Sequence, residues 1–537
     1  MATNSVSPIT ESEIHEAIRQ GTVVGSAEAR RIIDAEALRR AVLEFDGLPD
    51  PAGFRLLHVD VVGELDFRGV KVPCGIWFDD VTFSGFCDFA GFESDDGAFF
   101  LHCRMQGGIR FVGARMFRLW IHGGEISPRD VPDAWMRDAL FDHCDIGSDL
   151  HIIDVKVRTG LSLVNVGVGG TLQIHDSTIE GAVNADSARV HGILDMRETE
   201  VAKEIAIRGA VVDGQMKLDS LEARRVFLTG TTVRNDLFCG GMKTSLFDVE
   251  GARLKSVVID GSVKLGPPEL GSRSVLYAQR ASVDLFRIAD CTQIRGSFNL
   301  TGARVGELTL SSNAELSARP DLSATTSLSV DRIEWSPRGK DSSRVASEWL
   351  ASSRALPGAW VAFANALGAE GDDAAARTLL IEAADRRLKD HPNWFRRTIY
   401  RPIMKWTVGH GYRSHRALLW TFGVWVAIWV LVLLNQASFI PGSLEVEVGL
   451  QVAVIGTSTE TLVADTTVTP QPSEYPVFDA GLYALDVLLA PVDLGQADVW
   501  RVSSPSWLMW SLAGLKLAAT SFLGLFIAGA TGIVAKR

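Results

Sequence analysis

Residues 161–223 read LSLVNVGVGGTLQIHDSTIEGAVNADSARVHGILDMRETEVAKEIAIRGAVVDGQMKLDSLEA. Apolar or small residues return on an eleven-residue step, at offsets 0, +2, +5 and +7. Leu161, Leu163, Val166 and Val168 are followed by Leu172, Ile174, Ser177 and Ile179. The register continues through Val183, Ala185, Ala188 and Val190, then Leu194, Met196, Thr199 and Val201. Ile205, Ile207, Ala210 and Val212 come next, then Met216, Leu218, Leu221 and Ala223. A +2 pair puts both side chains on one face of a strand. Gly169–Gly170, Gly181, Gly192, Gly209 and Gly214 mark the corners between such pairs. Two strand pairs per step give two sides of a roughly square coil, so about 22 residues close one rung and rungs stack at about 4.8 Å. Helical periodicity is missing between the strands, which excludes an α/β fold. The expectation is a right-handed quadrilateral β-helix, a β-solenoid with 11-residue half-rungs.

The register extends both ways. Upstream lie Leu65/Phe67/Val70/Val72, Ile76/Phe78/Val81/Phe83 and Ile109/Phe111/Ala114/Met116. Downstream lie Leu285/Ile288, Phe298/Leu300/Ala303/Val305 and Leu308/Leu310. The solenoid therefore covers roughly 55–315, on the order of a dozen rungs and about 55 Å of length. Phe and Trp in the early rungs, where later ones carry Leu and Ala, predict a wider or less regular N-terminal end. SPRDVPDAWMRD at 127–138 carries two prolines and should leave the coil. Residues 10–45 read as amphipathic helices forming an N-terminal cap, because a solenoid needs closed ends. The expected division is a helical cap (1–50), a β-helix (51–335), a helical hairpin with a juxtamembrane helix (341–406) and a membrane domain (407–537).

In residues 341–391 the apolar period lengthens to three-to-four, with a break at Gly368–Asp373, as in a helical hairpin. Residues 417–440 contain no charged side chain, and neither do 517–535. Two membrane spans follow, at about 417–437 and 512–535. Trp394, Trp406, Trp420, Trp507 and Trp510 flank them as interface anchors. Residues 386–416 hold nine Lys/Arg against Asp390 alone, whereas 435–506 hold nine acids against Arg501. The positive-inside rule then puts both termini and the β-helix in the cytoplasm and the acidic loop 438–506 outside. The polar N-terminus lacks a signal peptide's apolar core. A multi-pass protein of the inner or plasma membrane is expected. Gly524, Ala528 and Gly532 form a small-residue stripe that would pack on the first span or join protomers into a homo-oligomer. Lys516 is read at the outer end of the second span, snorkelling to the interface.

Several stretches together resemble a bacterial family. These are Ala35–Leu43 (AEALRRAVL), the units GELDFRGVKV and GSFNLTGARV, TVGHGYRSHRALLW from Thr407, and FDAGLYALDVLLAPVDLGQADVW from Phe478. The family is one of membrane proteins, common in actinomycetes, related to pentapeptide-repeat proteins and often labelled "membrane-associated oxidoreductase". The resemblance covers most of the chain, and its C-terminal motifs are the most specific part. It brings no catalytic residue set with it.

The residues themselves supply no catalytic, cofactor-binding or metal-ligating set. No strand–GxGxxG–helix unit, P-loop, G-x-S-x-G or C-x-x-C occurs. Gly167-Val168-Gly169-Gly170 falls at a solenoid corner, where glycine serves the turn. Cys74, Cys87, Cys103, Cys144, Cys239 and Cys291 have no zinc or disulfide spacing and read as small buried thiols. His102–Cys103 and His143–Cys144 are adjacent pairs whose side chains should point to opposite faces. Thr407–Tyr412 echoes a potassium filter but precedes the first span, so it should make a turn. Phe478–Val492, followed by Asp493, resembles a pore helix between two spans, but it lacks a carbonyl-lined filter motif, and Asp479 and Asp486 read equally as acids solvated outside. A net charge of −12 argues against a nucleic-acid partner. The leading expectation is a membrane-anchored scaffold, with the lipid bilayer and a protein on the solenoid face as partners and no cofactor. The alternatives are the redox role that the family label implies, or an oligomeric two-span channel gated by the β-helix.

Overall fold

A computed structural model describes residues 8–50, 53–127, 139–259, 264–265, 274–288, 293–294, 296–311, 321–336, 342–352, 355–389, 391–413, 415–441, 477–488 and 494–531. The insertion expected at 127–138 lies almost wholly outside the described residues, as do Cys291, Asp493, Gly532 and most of the acidic loop. Contacts divide the chain into two compact units, Met1–Ala383 and Ala384–Arg537.

The first unit is a β-solenoid of about 11 turns. Equivalent strands pair in parallel from rung to rung, as Leu150, Leu172 and Leu194 do. Every inward residue named for 161–223 is buried, including Ser177, Thr199 and Ala223. The corners explain how a polar residue can point inward. One corner per rung is left-handed, at His58, Asp80, His102, Asp154, Asp176 and Glu198, and a second recurs at His143, Asn165, Ser187, Gly209 and Gly230. The residue after such a corner faces in, beside a carbonyl of the rung below. Cys103 donates to Phe78 O at 3.3 Å, Ser177 to Ile152 O at 3.2 Å and Thr199 to Ile174 O at 2.6 Å. A buried hydroxyl that finds an acceptor avoids the cost of desolvation.

Gly170, Gly192 and Gly214 stack at another corner for a different reason. A Cβ on Gly192 would lie 2.5 Å from Gly170 O, and one on Gly214 would lie 2.2 Å from Gly192 O. Their φ values are ordinary, so close backbone approach, not left-handed geometry, demands glycine there.

Three details differ from the expected repeat. After Ile205 the rung shortens: Val183 pairs with Ile205, then Ile205 with Val226 and Val226 with Phe247. A slip between Val201 and Glu204 absorbs the missing residue. By Ser282–Ile288 the accumulated slip has turned Leu285 outward and put Phe286 in the core beside Ile288. At the N-terminus only Glu11–Gln20 (α1) and Ala35–Leu43 (α2) are helical. Val23–Gly25 and Arg31–Asp34 between them are strands that pair with Arg55–Leu57 and Val59–Val62, so the cap contains the start of the sheet. The early aromatic residues also divide. Phe67, Phe78, Phe89, Phe100, Phe111 and Phe141 are fully buried and stack along the axis, with Phe89–Phe111 centroids 4.6 Å apart. Trp77 and Trp120, read from sequence as widening the coil, alternate with inward neighbours and point out of it.

Three helices follow the last strand instead of a hairpin: Ser342–Ser352 (α3), Pro357–Ala369 (α4) and Asp373–Lys389 (α5). Pro357 starts α4 at a position where a missing N–H costs nothing. Ala359, Trp360 and Phe363 of α4 join the solenoid's own core, and a Cβ on Gly358 would meet Thr326 O at 2.2 Å. The helices thereby close the end of the coil.

The second unit takes the last turn of α5. It continues through a π-helical turn, Arg396–Tyr400, and the helices Arg401–Thr407 (α6), His415–Leu434 (α7), Ala480–Leu488 (α8), Gln496–Val499 (α9) and Ser506–Ala530 (α10). α7 and α10 are long and apolar enough to cross a membrane, with mean hydropathy 2.4 and 1.6 over their best windows. They pack antiparallel. Ala417 lies with Leu525 and Phe526 at one end, and Ile428 and Val432 with Leu508 and Leu512 at the other. α10 starts earlier than the span expected from sequence, so Lys516 falls well inside the helix rather than at its end. Gly524 has open space where a Cβ would stand, so the small-residue stripe does not pack on α7 there. Gly409–Gly411 makes the expected turn before α7, with His410 at φ 55°.

Candidate functional site

One outer face of the solenoid departs from an ordinary solvated sheet surface. The strands Phe54–Leu57, Ile76–Asp79, Glu93–Met105, Arg115–Ile126 and Leu150–Ile153 lie in register there. Their outward positions form the column Arg55, Trp77, Phe99, Trp120, His151. Strand alternation alone sends these side chains out, because Leu56, Phe78, Phe100, Ile121 and Ile152 point in. The Arg55 guanidinium lies 4.9 Å from the Trp77 ring centre. Trp77 stacks on Phe99 at 3.8 Å, and Phe99 meets Trp120 edge-on at 5.3 Å. Phe99 is 1% exposed although it stands outside the core, covered by its aromatic neighbours.

Beyond Trp120 the column widens. Trp120, His122 and His151 form three near-parallel rings with centroids 5.2 to 5.5 Å apart. Trp120 Nε1, His122 Nε2 and His151 Nδ1 are hidden from solvent and have no hydrogen-bond partner among the described residues. Burial disfavours a charged imidazole, and His151, His175 and His102 add repulsion, so the His122 pKa is pushed down to about 4. Burial also lowers His151, against the opposing pull of Asp149. Both rings are therefore neutral near pH 7. The face offers aromatic surface, one stacked cation and unsatisfied ring nitrogens. In later rungs the same column reads Gln173, Asp195 and Lys217, and Asp195 is closed off by Arg197 at 2.7 Å.

A groove of about 530 Å³ follows another side, lined by Arg158, Thr159, Glu180, Asn184, Lys203 and Arg208. Its arginines are engaged: Arg158 with Glu125 and Glu180, and Arg208 with Asp186. The histidine–cysteine pairs separate as expected, for a more specific reason than strand alternation. His102 and His143 occupy left-handed corners and project out, whereas Cys103 and Cys144 face the core. Burial pushes both thiols up to about 12, which removes them as nucleophiles at neutral pH. Among the described residues no group of three His, Cys, Asp or Glu could hold a metal ion.

In the second unit, of the two acids read as solvated outside the membrane, Asp479 is exposed and Asp486 is buried. Asp479 Oδ1 accepts from the N–H groups of Gly481 and Leu482 at the start of α8. Asp486 is 6% exposed and accepts from the N–H groups of Leu494, Gln496 and Ala497. Its carboxylate ties down the chain after α8. A second buried acid, Asp385, is held by Arg401 at 2.7 and 2.8 Å and by Lys405 at 2.9 Å, with His410 Nε2 3.7 Å away. The Arg401 bonds keep its carboxyl well below the usual range.

No residue of the aromatic face was singled out from sequence. The usable signal was the spacing of Arg55, Trp77 and Phe99, each one position after an inward residue and 22 apart. No family model matches this chain, no curated protein matches it, and no solved structure matches it.

Proposed function

We propose that this chain is a membrane-anchored scaffold whose β-solenoid binds a protein partner on the Trp77–His151 face. The observation that carries the reading is the outward column of stacked rings with three unsatisfied nitrogens. Folding requires only the inward positions, so aromatic side chains placed outward and left with unused donors and acceptors serve recognition. Trp and neighbouring aromatic anchors dominate protein interfaces because they bury large area at low entropic cost. Four rung steps from Arg55 to His151 span about 19 Å, a length suited to a strand or helix of a partner. The partner should bring apolar side chains to the exposed ring edges of Trp77 and Trp120 and a carboxylate to Arg55.

The membrane part rests on α7 and α10. The basic flank around 386–416 supports a cytoplasmic solenoid and cytoplasmic termini. The eleven-residue period supports a quadrilateral coil, for which right-handedness is proposed, and the pentapeptide-repeat likeness and bacterial origin rest on the resemblance of its motifs alone. The pore reading is weakened by the three backbone N–H groups that Asp486 already accepts, and the redox reading has no residue set behind it.

Site-specific photo-crosslinking in native membranes tests the proposal. A photoreactive residue at Gln173, one rung beyond the stack, should give a discrete protein adduct. The adduct should disappear in Trp77→Ser/Trp120→Ser, and the same residue at Lys217 should give none. An adduct indifferent to the double substitution, or no adduct at Gln173, would overturn it.

A further inference from the structure

Residues 394–408 form a second surface with a separate chemistry. The π-helical turn Arg396–Tyr400 runs directly into α6. One side of this run is committed to the protein. Met404 and Val408 are buried with Ala417 against Leu525 and Phe526 of α10. Arg401 and Lys405 are spent on Asp385. The other side is open and apolar: Trp394 is 60% exposed, Phe395 53%, Ile403 48% and Trp406 72%. Arg396 and Arg397, next in sequence to Phe395, are exposed; Arg396 Nη1 lies 3.4 Å from His391 Nε2, and among the described residues neither arginine pairs with a carboxylate.

The packing of Met404 fixes the level of this surface. Leu525 and Phe526 lie in the last two turns of α10, and Ala417 lies in the first turn of α7. The segment is therefore level with one end of both apolar helices. If these helices span a bilayer, that end is where glycerol and headgroups lie. Trp and Tyr settle at this depth, and a guanidinium pairs bidentately with phosphate. Large apolar side chains left in water beside unpaired cations have the composition of an interfacial helix. The Asp385 clamp adds selectivity by removing two cations from the lipid side and leaving two.

We propose that residues 394–406 form an interfacial site for anionic phospholipid. Trp394, Phe395, Ile403 and Trp406 embed at the acyl–glycerol boundary, and Arg396 and Arg397 bind headgroup phosphates. The inference rests on the membrane reading of α7 and α10.

The full chain, reconstituted in mixed phosphatidylglycerol–phosphatidylcholine bilayers and then extracted, should carry phosphatidylglycerol in excess over its bulk fraction. Each arginine near an anionic surface is worth about 5-fold, or about 1 kcal/mol. Arg396→Gln/Arg397→Gln should therefore cut the preference about 25-fold while leaving the protein resistant to carbonate extraction. A fluorophore on Trp406→Cys should be quenched by brominated lipid. Carbonate release of the unsubstituted protein would overturn the membrane reading itself. Stable insertion with no phosphatidylglycerol excess, an excess unchanged in the double variant, or an unquenched fluorophore would overturn the lipid site alone.

Discussion

The outer face of the solenoid changes chemical character along its length, whereas the inner face stays apolar even where Phe gives way to Ile and Met. Inward, Phe78, Phe100, Ile121, Ile152, Ile174 and Met196 are all buried, so the same packing rule runs through the early and middle rungs. Outward, Trp77, Phe99, Trp120 and His151 give way to Gln173, Asp195 and Lys217. Gln, Asp and Lys are polar, and Asp195 is met by Arg197 on its own rung. The aromatic half departs from that polarity. The fold is thus specified from within, and the departure on the outside is what the proposed binding face rests on.

Substitutions can break this comparison at several strengths. The largest effect should come from Ile207→Asp, which buries an unpaired carboxylate in a central rung and should cost about 4 kcal/mol or more, read as loss of the cooperative unfolding transition. A full-stability Ile207→Asp protein would sink the inward register. Next, Leu172→Ala should lose about 3 kcal/mol through its cavity. Its neighbour Gln173→Ala should stay within about 0.5 kcal/mol by denaturant titration. Trp120→Ala should cost only about 1 kcal/mol of ring contact, against about 4 kcal/mol for Phe100→Ala one position from its stacking partner. Equal costs for the two would mean that the outer stack is part of the core.

The smallest effect is a titration. His122 is pushed down to about 4, below the ordinary value near 6.5. Between those values the unfolded chain binds the proton and the folded chain does not. The His122 contribution to stability is therefore present above pH 6.5 and is lost as pH falls toward 4. Trp120→Ala should admit water and raise the His122 pKa toward 6.5 in an NMR titration. No movement would show that the stack does not shield the imidazole.

The inward register was legible in the sequence because burial on one face imposes a strict period. Where that constraint slackens, legibility stops. The shortening after Ile205 moves residues by one and exchanges Leu285 for Phe286, two side chains that hydropathy cannot distinguish. Val23–Gly25 and Arg31–Asp34 read as helix because AEARRIID lies beside the helical Ala35–Leu43, and only pairing with the next rung makes it strand. The aromatic column was passed over for the complementary reason. Outward residues obey no packing period, so Trp77 and Trp120 read as oversized core. Lys516 reads as the end of the span because its own charge closes the charge-free window at 517, although the uncharged stretch before it continues the same helix from Ser506.

Hydroxyl-radical footprinting of the full chain, in native membranes and after purification, tests the central claim most directly. Trp77 and Trp120 should be protected in membranes and become reactive once the partner is stripped, while Phe117, exposed on a different side, keeps one reactivity throughout. Equal modification of Trp77 and Trp120 in both preparations would contradict the binding face.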